Sequence, residues 1–316
     1  MKLSSSTGDF GNYVESIPEM IRAFGGTKFR HINLEQSGST PELISECNDD
    51  WKRFANACGE AAADANVTFV LAHAPCFHNA ILPALDDPTN EEYRRNVRGI
   101  RRSIEVCHAL GIPRIVIHAC ASGELNKETF YRYNQMFYRE FFDLAEKYNV
   151  MILTENWDND ASLFATGAEM REFIEFVDHP LLGACWDTAH GNLAKGAKAL
   201  GQYQNITALG GRLHGLHISD NFGDVHHHSW PFAGIINFDA VMQGLLDVNY
   251  DGYFNFEASY SLLHHRNLPY HRKPFVHNGE TVTRLLDPSL ALKQKATDLL
   301  YDVGQYILET YGCYEA

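Results

Sequence analysis

Met151-Ile-Leu-Thr-Glu155, Leu182-Gly-Ala-Cys-Trp-Asp187, Leu213-His-Gly-Leu-His217 and Tyr253-Phe-Asn-Phe-Glu257 are four short apolar runs, each ending on a group that can bind a metal. From 155 to 187 is 32 positions, from 187 to 217 is 30 and from 217 to 257 is 40. One strand, one helix and their two loops take about that length, so two glutamates, an aspartate and a histidine recur with the period of a βα unit. In a closed parallel barrel all strand C-terminal ends open onto one face, where active sites sit. Three carboxylates gathered there repel one another strongly without a cation between them. The spacing therefore predicts a fold, a metal and a site together.

Working outward from these runs, four more strand candidates precede them: Lys2–Ser5, Phe29–Glu35, Val67–His73 and Arg114–His118. Most are apolar without clean alternation, as in strands covered on both faces. Helical stretches separate them. Thr89-Asn-Glu-Glu92 and Thr166-Gly-Ala-Glu169 read as capping boxes. Phe130, Phe137, Phe141, Leu144 and Tyr148 repeat at helical spacing. Asp287-Pro288 reads as an N-cap with proline at the first helical position. Leu292, Ala296, Leu299, Val303 and Ile307 then mark the buried stripe of a final helix, which Gly312 stops. Eight strands alternating with helices specify an α/β chain, either a barrel or a long doubly wound sheet. No Gly-x-Gly-x-x-Gly follows the first strand, which removes the best support for the sheet. The expected fold is a single (β/α)8 TIM barrel over residues 1–316. A long connection, 259–286, lies between the eighth strand and the final helix and reads as a lid or a contact between subunits. It holds His264, His265, Arg266, His271, Arg272, Lys273 and His277.

The 316 residues are 45% hydrophobic and 21% charged, an ordinary soluble composition. The net charge of −14 disfavours a nucleic-acid partner, because phosphate contacts need Lys and Arg. Arg94, Arg95, Arg98, Arg101 and Arg102 share one helical stretch and read as a solvated face. The seven cysteines, with no Cys-x-x-Cys, read as reduced thiols of a cytoplasmic protein. Met1-Lys-Leu-Ser-Ser-Ser-Thr-Gly8 has no apolar signal core, and no run of about 18 apolar residues marks a membrane span.

Glu155, Asp187, His217 and Glu257 form the candidate metal set. Three oxygens and one imidazole nitrogen suit a hard or borderline divalent ion such as Mn²⁺, Mg²⁺, Co²⁺ or Zn²⁺. Singly, a strand-end Glu is often salt-bridged and a lone His is often a bonded core residue. Asp187-Thr-Ala-His190 adds an imidazole that can face the same pocket. His73 and His118 end the third and fourth strands, and Glu35 ends the second. His226-His-His228 follows the seventh strand within a loop running to Gly234. Trp157, Trp186 and Trp230 lie beside these motifs, where aromatic walls suit the apolar face of a sugar and core packing is the commoner use.

On Glu155, Asp187-Thr-Ala-His190, His217-Ile-Ser-Asp-Asn221, His228-x-x-Pro-x-x-Gly234-x-Ile236 and Glu257, the chain resembles the xylose isomerase-like TIM-barrel superfamily over nearly its whole length. The resemblance to its ketose 3-epimerase branch implies one Mn²⁺-type ion on Glu155, Asp187, His217 and Glu257. It implies that the two glutamates exchange a proton beside a carbonyl through a metal-stabilised enediolate. It also places His190 on a substrate oxygen. His228, His118, His73, Trp157 and Trp186 are further substrate-binding candidates by their places at strand ends and beside these motifs, and the resemblance implies a homodimer or homotetramer. The expected function is that of a sugar or sugar-phosphate isomerase or epimerase. A keto-polyol (inosose-type) dehydratase uses related chemistry. Endonuclease IV is similar at His73, His118, Asp187, His190 and His228 and uses three zinc ions, which implies an AP endonuclease-like phosphodiesterase. Its Asp-x-His pair falls on His226 and His228, so the aspartate is missing. Many sugar-enzyme relatives carry Gly-Glu-Gly where this chain has Phe232-Ala-Gly234. A non-catalytic sugar-binding barrel is the reading outside enzymes.

Overall fold

The computed structural model describes residues 1–36, 40–76, 87, 89–120, 125–159, 163–259, 262, 275–282, 284 and 287–316. Eight parallel strands form one sheet: β1 (Lys2–Ser6), β2 (His31–Glu35), β3 (Thr68–His73), β4 (Arg114–Val116), β5 (Met151–Glu155), β6 (Leu182–Asp187), β7 (Leu213–His217) and β8 (Tyr253–Phe256). Each strand from β1 to β6 pairs with the next, and β1 also pairs with β8. Beyond β7, the Ile218 N–H donates to Asn255 O at 2.8 Å and the Glu257 N–H to Ile218 O at 3.1 Å, which closes the ring. The fold is thus the expected (β/α)8 barrel. The eight strand candidates all form, with ends moved by one or two residues, and His118 and Glu257 lie just past their strands.

Side chains along a strand alternate between two faces. Val70, Leu71, Val116, Leu153 and Cys185 pack together in the barrel interior, apart from the larger core between sheet and helices. Moving two residues toward the C-terminal end returns each strand to that same face. From Leu71, Val116, Leu153 and Cys185 the step leads to His73, His118, Glu155 and Asp187. The site residues therefore sit one layer above the apolar floor of the barrel.

The helices follow local signals with some corrections. The capping box at Thr166 and Glu169 is present in full, opening helix Gly167–Val177. The expected box at Thr89 is replaced by an Asn90 cap, whose side chain accepts the Tyr93 N–H, while Thr89 bonds Asp87. Phe130, Phe137, Phe141 and Leu144 are buried as their spacing predicts. The final helix, Leu290–Thr310, is capped by Ser289 and not by Asp287. Its buried face is Lys293, Thr297, Leu300, Gly304, Ile307 and Leu308, whereas Leu292 and Leu299 are about half exposed, at 49% and 50%. Two tertiary contacts turn the helix. Lys293 Nζ donates to Asp9 inside the protein, and a side chain at Gly304 would strike the Phe256 ring at 2.6 Å.

Arg102 also departs from the solvated face: it is buried and donates to the carbonyls of Leu43 and Ser45. Within the long connection, β9 (Phe275–His277) and β10 (Glu280–Val282) form an exposed antiparallel hairpin carrying His277. His264, His265, Arg266, His271, Arg272 and Lys273 lie outside the described residues. None of the described helices is long and apolar enough to cross a membrane.

Candidate metal centre and active site

The pleat brings Glu155, Asp187, His217 and Glu257 together, with one ligand atom of each lying within 4.8 Å of all the others. His217 Nδ1 is 2.9 Å from Glu155 Oε1 and 3.1 Å from Glu257 Oε2, so one imidazole edge faces both glutamates. Glu155, Asp187 and His217 are buried and Glu257 is partly open. Asp187 Oδ1 accepts the His190 N–H at 2.7 Å, while Asp187 Oδ2 and His217 Nε2 are buried without a hydrogen-bond partner.

Burial opposes ionisation of Glu155, yet the imidazoles of His217 and His118 hold its carboxyl well below the usual range. Glu257 is likewise held down against its burial by His217 and His228. Asp187 goes the other way: burial raises it, and His190 does not offset that cost. His217 is pushed well above its ordinary value, against burial, by Cys185, Glu155 and Glu257. Without a cation, protons on the imidazoles balance the carboxylates. A divalent ion suits the same donors, because it supplies the positive charge that the partnerless Asp187 oxygen lacks.

The surrounding histidines are oriented by backbone carbonyls. A carbonyl only accepts, so His190 Nδ1 donates to Asn156 O at 2.8 Å and His228 Nδ1 to Glu257 O at 3.0 Å. His73 Nδ1 donates to Ala74 O at 2.8 Å. In each neutral ring this leaves Nε2 as the lone-pair nitrogen. His118 Nε2 lies 3.0 Å from Glu155 Oε2. His226 stacks on His228 and lies edge-on to His190, and burial followed by those two neighbours pushes its pKa down to about 2.

Trp157 stands edge-on to His118 with ring centres 5.0 Å apart, beside the site. Trp186 does not join it. Its neighbours Cys185 and Asp187 face inward, so the pleat turns Trp186 outward. There it is fully buried among the helices and donates Nε1–H to Gln202 Oε1 at 2.9 Å. The expectation that Trp186 binds substrate is therefore corrected to core packing. Trp230 is partly buried against the core.

Three residues had no assigned role in the sequence. Asn156 clamps Asp187: its Oδ1 accepts the Asp187 N–H at 2.7 Å and its Nδ2 donates to Asp187 O at 3.0 Å. Asp220 accepts the backbone N–H groups of Asn221, Phe232, Gly234 and Ile236 at 2.8, 3.1, 2.9 and 3.1 Å. It ties the start of the histidine loop to its end. A Cβ at Gly234 would lie 2.4 Å from that carboxylate, so the turn demands glycine. Cys76 lies beside His73 and His118. The signal for Asp220 was its place in the His217-Ile-Ser-Asp-Asn221 motif; Asn156 and Cys76 had none beyond adjacency to a strand end.

The family description "Xylose isomerase-like TIM barrel" matches residues 17–273, and the chain belongs to that family. An uncharacterized protein of Sinorhizobium fredii, y4fM, is 25% identical over 78% of this chain and 82% of its own. Among solved structures, a D-tagatose 3-epimerase-like protein superposes with TM-score 0.67 at 21% identity, covering 99% of this chain and 100% of that one. The IOLI protein, solved with a binding zinc atom, superposes with TM-score 0.66 at 16% identity, covering 98% and 99%. At these identities the structural likeness establishes the shared fold.

Proposed function

We infer that this chain is a divalent-metal-dependent sugar isomerase or epimerase. The observation that carries this reading is the convergence of Glu155, Asp187, His217 and Glu257 at the mouth of the barrel. The donor set, the His217 Nδ1 edge that faces both glutamates and the partnerless buried Asp187 Oδ2 fit a cation held by these four residues. Mn²⁺ heads the candidates, ahead of Mg²⁺, Co²⁺ and Zn²⁺. The zinc reported in the IOLI structure supports a metal in this fold, and the epimerase-like neighbour supports a sugar substrate.

A bound divalent ion supplies Lewis-acid stabilisation of the charge that develops on a carbonyl oxygen. The residues do the rest. Glu155 and Glu257 both face His217 and are both held ionised, so either can take a proton from a carbon between them. The glutamate that takes the proton can return it to the neighbouring carbon, whereas inversion at the same carbon requires the other glutamate to have taken up a proton from solvent and to deliver it to the opposite face. His190, His228, His118 and His73 offer nitrogens to hydroxyls, and Trp157 provides an apolar wall. The chain's net charge of −14, and a histidine at 226 in place of an aspartate, count against phosphodiester cleavage.

The test is solvent deuterium incorporation into a panel of ketoses by metal-loaded protein. Exchange at the carbon beside the carbonyl is expected, falling by at least about 100-fold in Glu257→Gln. Near-full exchange in that variant would remove Glu257 from the chemistry, and no exchange with any ketose would sink the isomerase reading.

A further inference from the structure

On the outside of the barrel, helix Glu91–Leu110 carries five arginines that the proposed reaction does not use. Arg94, Arg98 and Arg102 are four residues apart, so they stand in one column, with Arg101 beside it. Like charges at that spacing repel and weaken a helix. All four line a surface cavity of about 520 Å³, together with Asn48 and with Glu140 of helix Lys127–Tyr148. Against these four guanidiniums the lining sets two carboxylates, Glu105 and Glu140. The local charge therefore runs against that of the whole chain, which is −14.

Two of the guanidiniums are fixed by the protein. Arg101 gives Asp143 two parallel bonds at 2.8 and 2.7 Å and a third to Glu140 O. Arg102 is buried and donates to the Leu43 and Ser45 carbonyls, which orient it without carrying a countercharge. Burial, and next the charge of Arg98, push the Arg102 pKa down, with Glu105 and Asp50 opposing them. Arg98 differs from both. It is half-buried, its Nε is closed off from solvent without a hydrogen-bond partner, and no described residue pairs with it. A cation stripped of water on one side binds an anion on its open side more strongly than a solvated one does. Asn48 Oδ1 accepts the Trp51 indole N–H at 3.2 Å, which leaves the Asn48 amide N–H groups as further donors at the cavity.

We propose that this cavity binds a small phosphate ester, with its phosphoryl group on Arg98 in the field of Arg94 and Arg102. A phosphoryl group offers three acceptor oxygens and up to two charges to a column of planar guanidiniums. Glu105 lies one turn beyond Arg101 and Arg102, so repulsion places the phosphoryl group toward the Arg94 end. Val97 and the ring of Tyr93, whose hydroxyl donates to Glu140 at 3.2 Å, give the organic part apolar surface. The volume lies within the range of about 300–1,000 Å³ usual for small-molecule sites. The site shares no residue with the metal centre, so it does not rest on the isomerase reading.

The test is calorimetric titration of the full-length protein, stripped with chelator so that no metal competes for phosphate. Phenyl phosphate is the probe, with inorganic phosphate, benzoate and a short DNA duplex run separately. One saturable site per chain is expected for phenyl phosphate. Arg98→Gln should weaken it about 10-fold or more, the size of one charge-assisted hydrogen bond. Arg95→Gln, an exposed position outside the lining, should leave it unchanged. In the wild type, which needs no variant to fold, nuclear Overhauser contacts should join the phenyl protons to the Val97 methyls. No saturable binding, equal affinity in Arg98→Gln, or binding without contact to Val97 would each overturn the proposal. Benzoate binding as tightly as phenyl phosphate would overturn the phosphate assignment, and inorganic phosphate doing so would overturn the ester. A duplex that binds more tightly than either would overturn the small-molecule assignment in favour of a polyanion.

Discussion

Replacing Lys293 by methionine should strip the barrel of a contact joining its last helix to its first loop. The Lys293 side chain is 0% exposed and the Asp9 side chain 1% exposed, and their ion pair spans nearly the whole chain. Lys293 Nζ also reaches Ser259 O at 3.2 Å, and Asp9 Oδ2 accepts the Thr297 hydroxyl at 2.6 Å. Met keeps the length and apolar stem of Lys but leaves Asp9 a buried carboxylate without its cation. Removing one partner of such a pair costs about 3–5 kcal/mol. The entropy of unfolding is about 2.1 cal/mol/K per residue. Over 316 residues that is roughly 0.66 kcal/mol/K. The expected fall in Tm is then about 5–8 °C. Asp9→Asn alone should cost a similar amount by stranding the ammonium. The double variant carries neither charge, so it should lie within about 1–2 kcal/mol of the wild type. Reversible urea unfolding of the four proteins closes the cycle, with thermal melts as a second readout. A Lys293→Met loss below about 1 kcal/mol, or a double variant whose loss equals the sum of the two, would refute the argument that charge compensation holds this helix.

Metal loading should stabilise the protein by about 2.7 kcal/mol at one hundred times the Kd, a rise of about 4 °C by the same conversion. Asp187→Asn should abolish most of that rise, and a Mn²⁺-dependent melt unchanged in the variant would exclude Asp187 as a ligand. His214 titrates below its ordinary value because of burial and then Arg114 and Arg212. The unfolded chain takes up this proton near pH ~6.5 while the folded protein does not, so stability is lost as pH falls below that point until the folded pKa is passed. His214→Asn should therefore lose less Tm than the wild type between about pH 6.5 and 5; identical slopes would show that His214 does not contribute.

Much of the site is legible from the chain alone because strands impose a period of two and βα units a period near thirty residues. An acidic group or histidine at the end of each run must then face the same way as its neighbours at equal height. That logic reaches Glu155, Asp187, His217 and Glu257, and it puts His73 and His118 at strand ends beside them. It fails for Trp186, where adjacency in sequence means opposite faces of the sheet.

The capping box at Thr166 and the aromatic stripe of the helix around Phe137 rest on residues close in sequence, and the facing of each strand-end ligand follows from its own strand's pleat. Other features depend on partners far along the chain. The final helix presents Lys293 and not Leu292 to the core because Asp9 lies there, and Gly304 because Phe256 approaches too closely for a side chain. Cys76 joins the site only when β4 lays His118 beside it, and Asp220 becomes a loop anchor only when residues 232–236 return to its carboxylate. Periodic patterns are written in local sequence, whereas a cluster of donors exists only after the barrel has closed and set the register between strands.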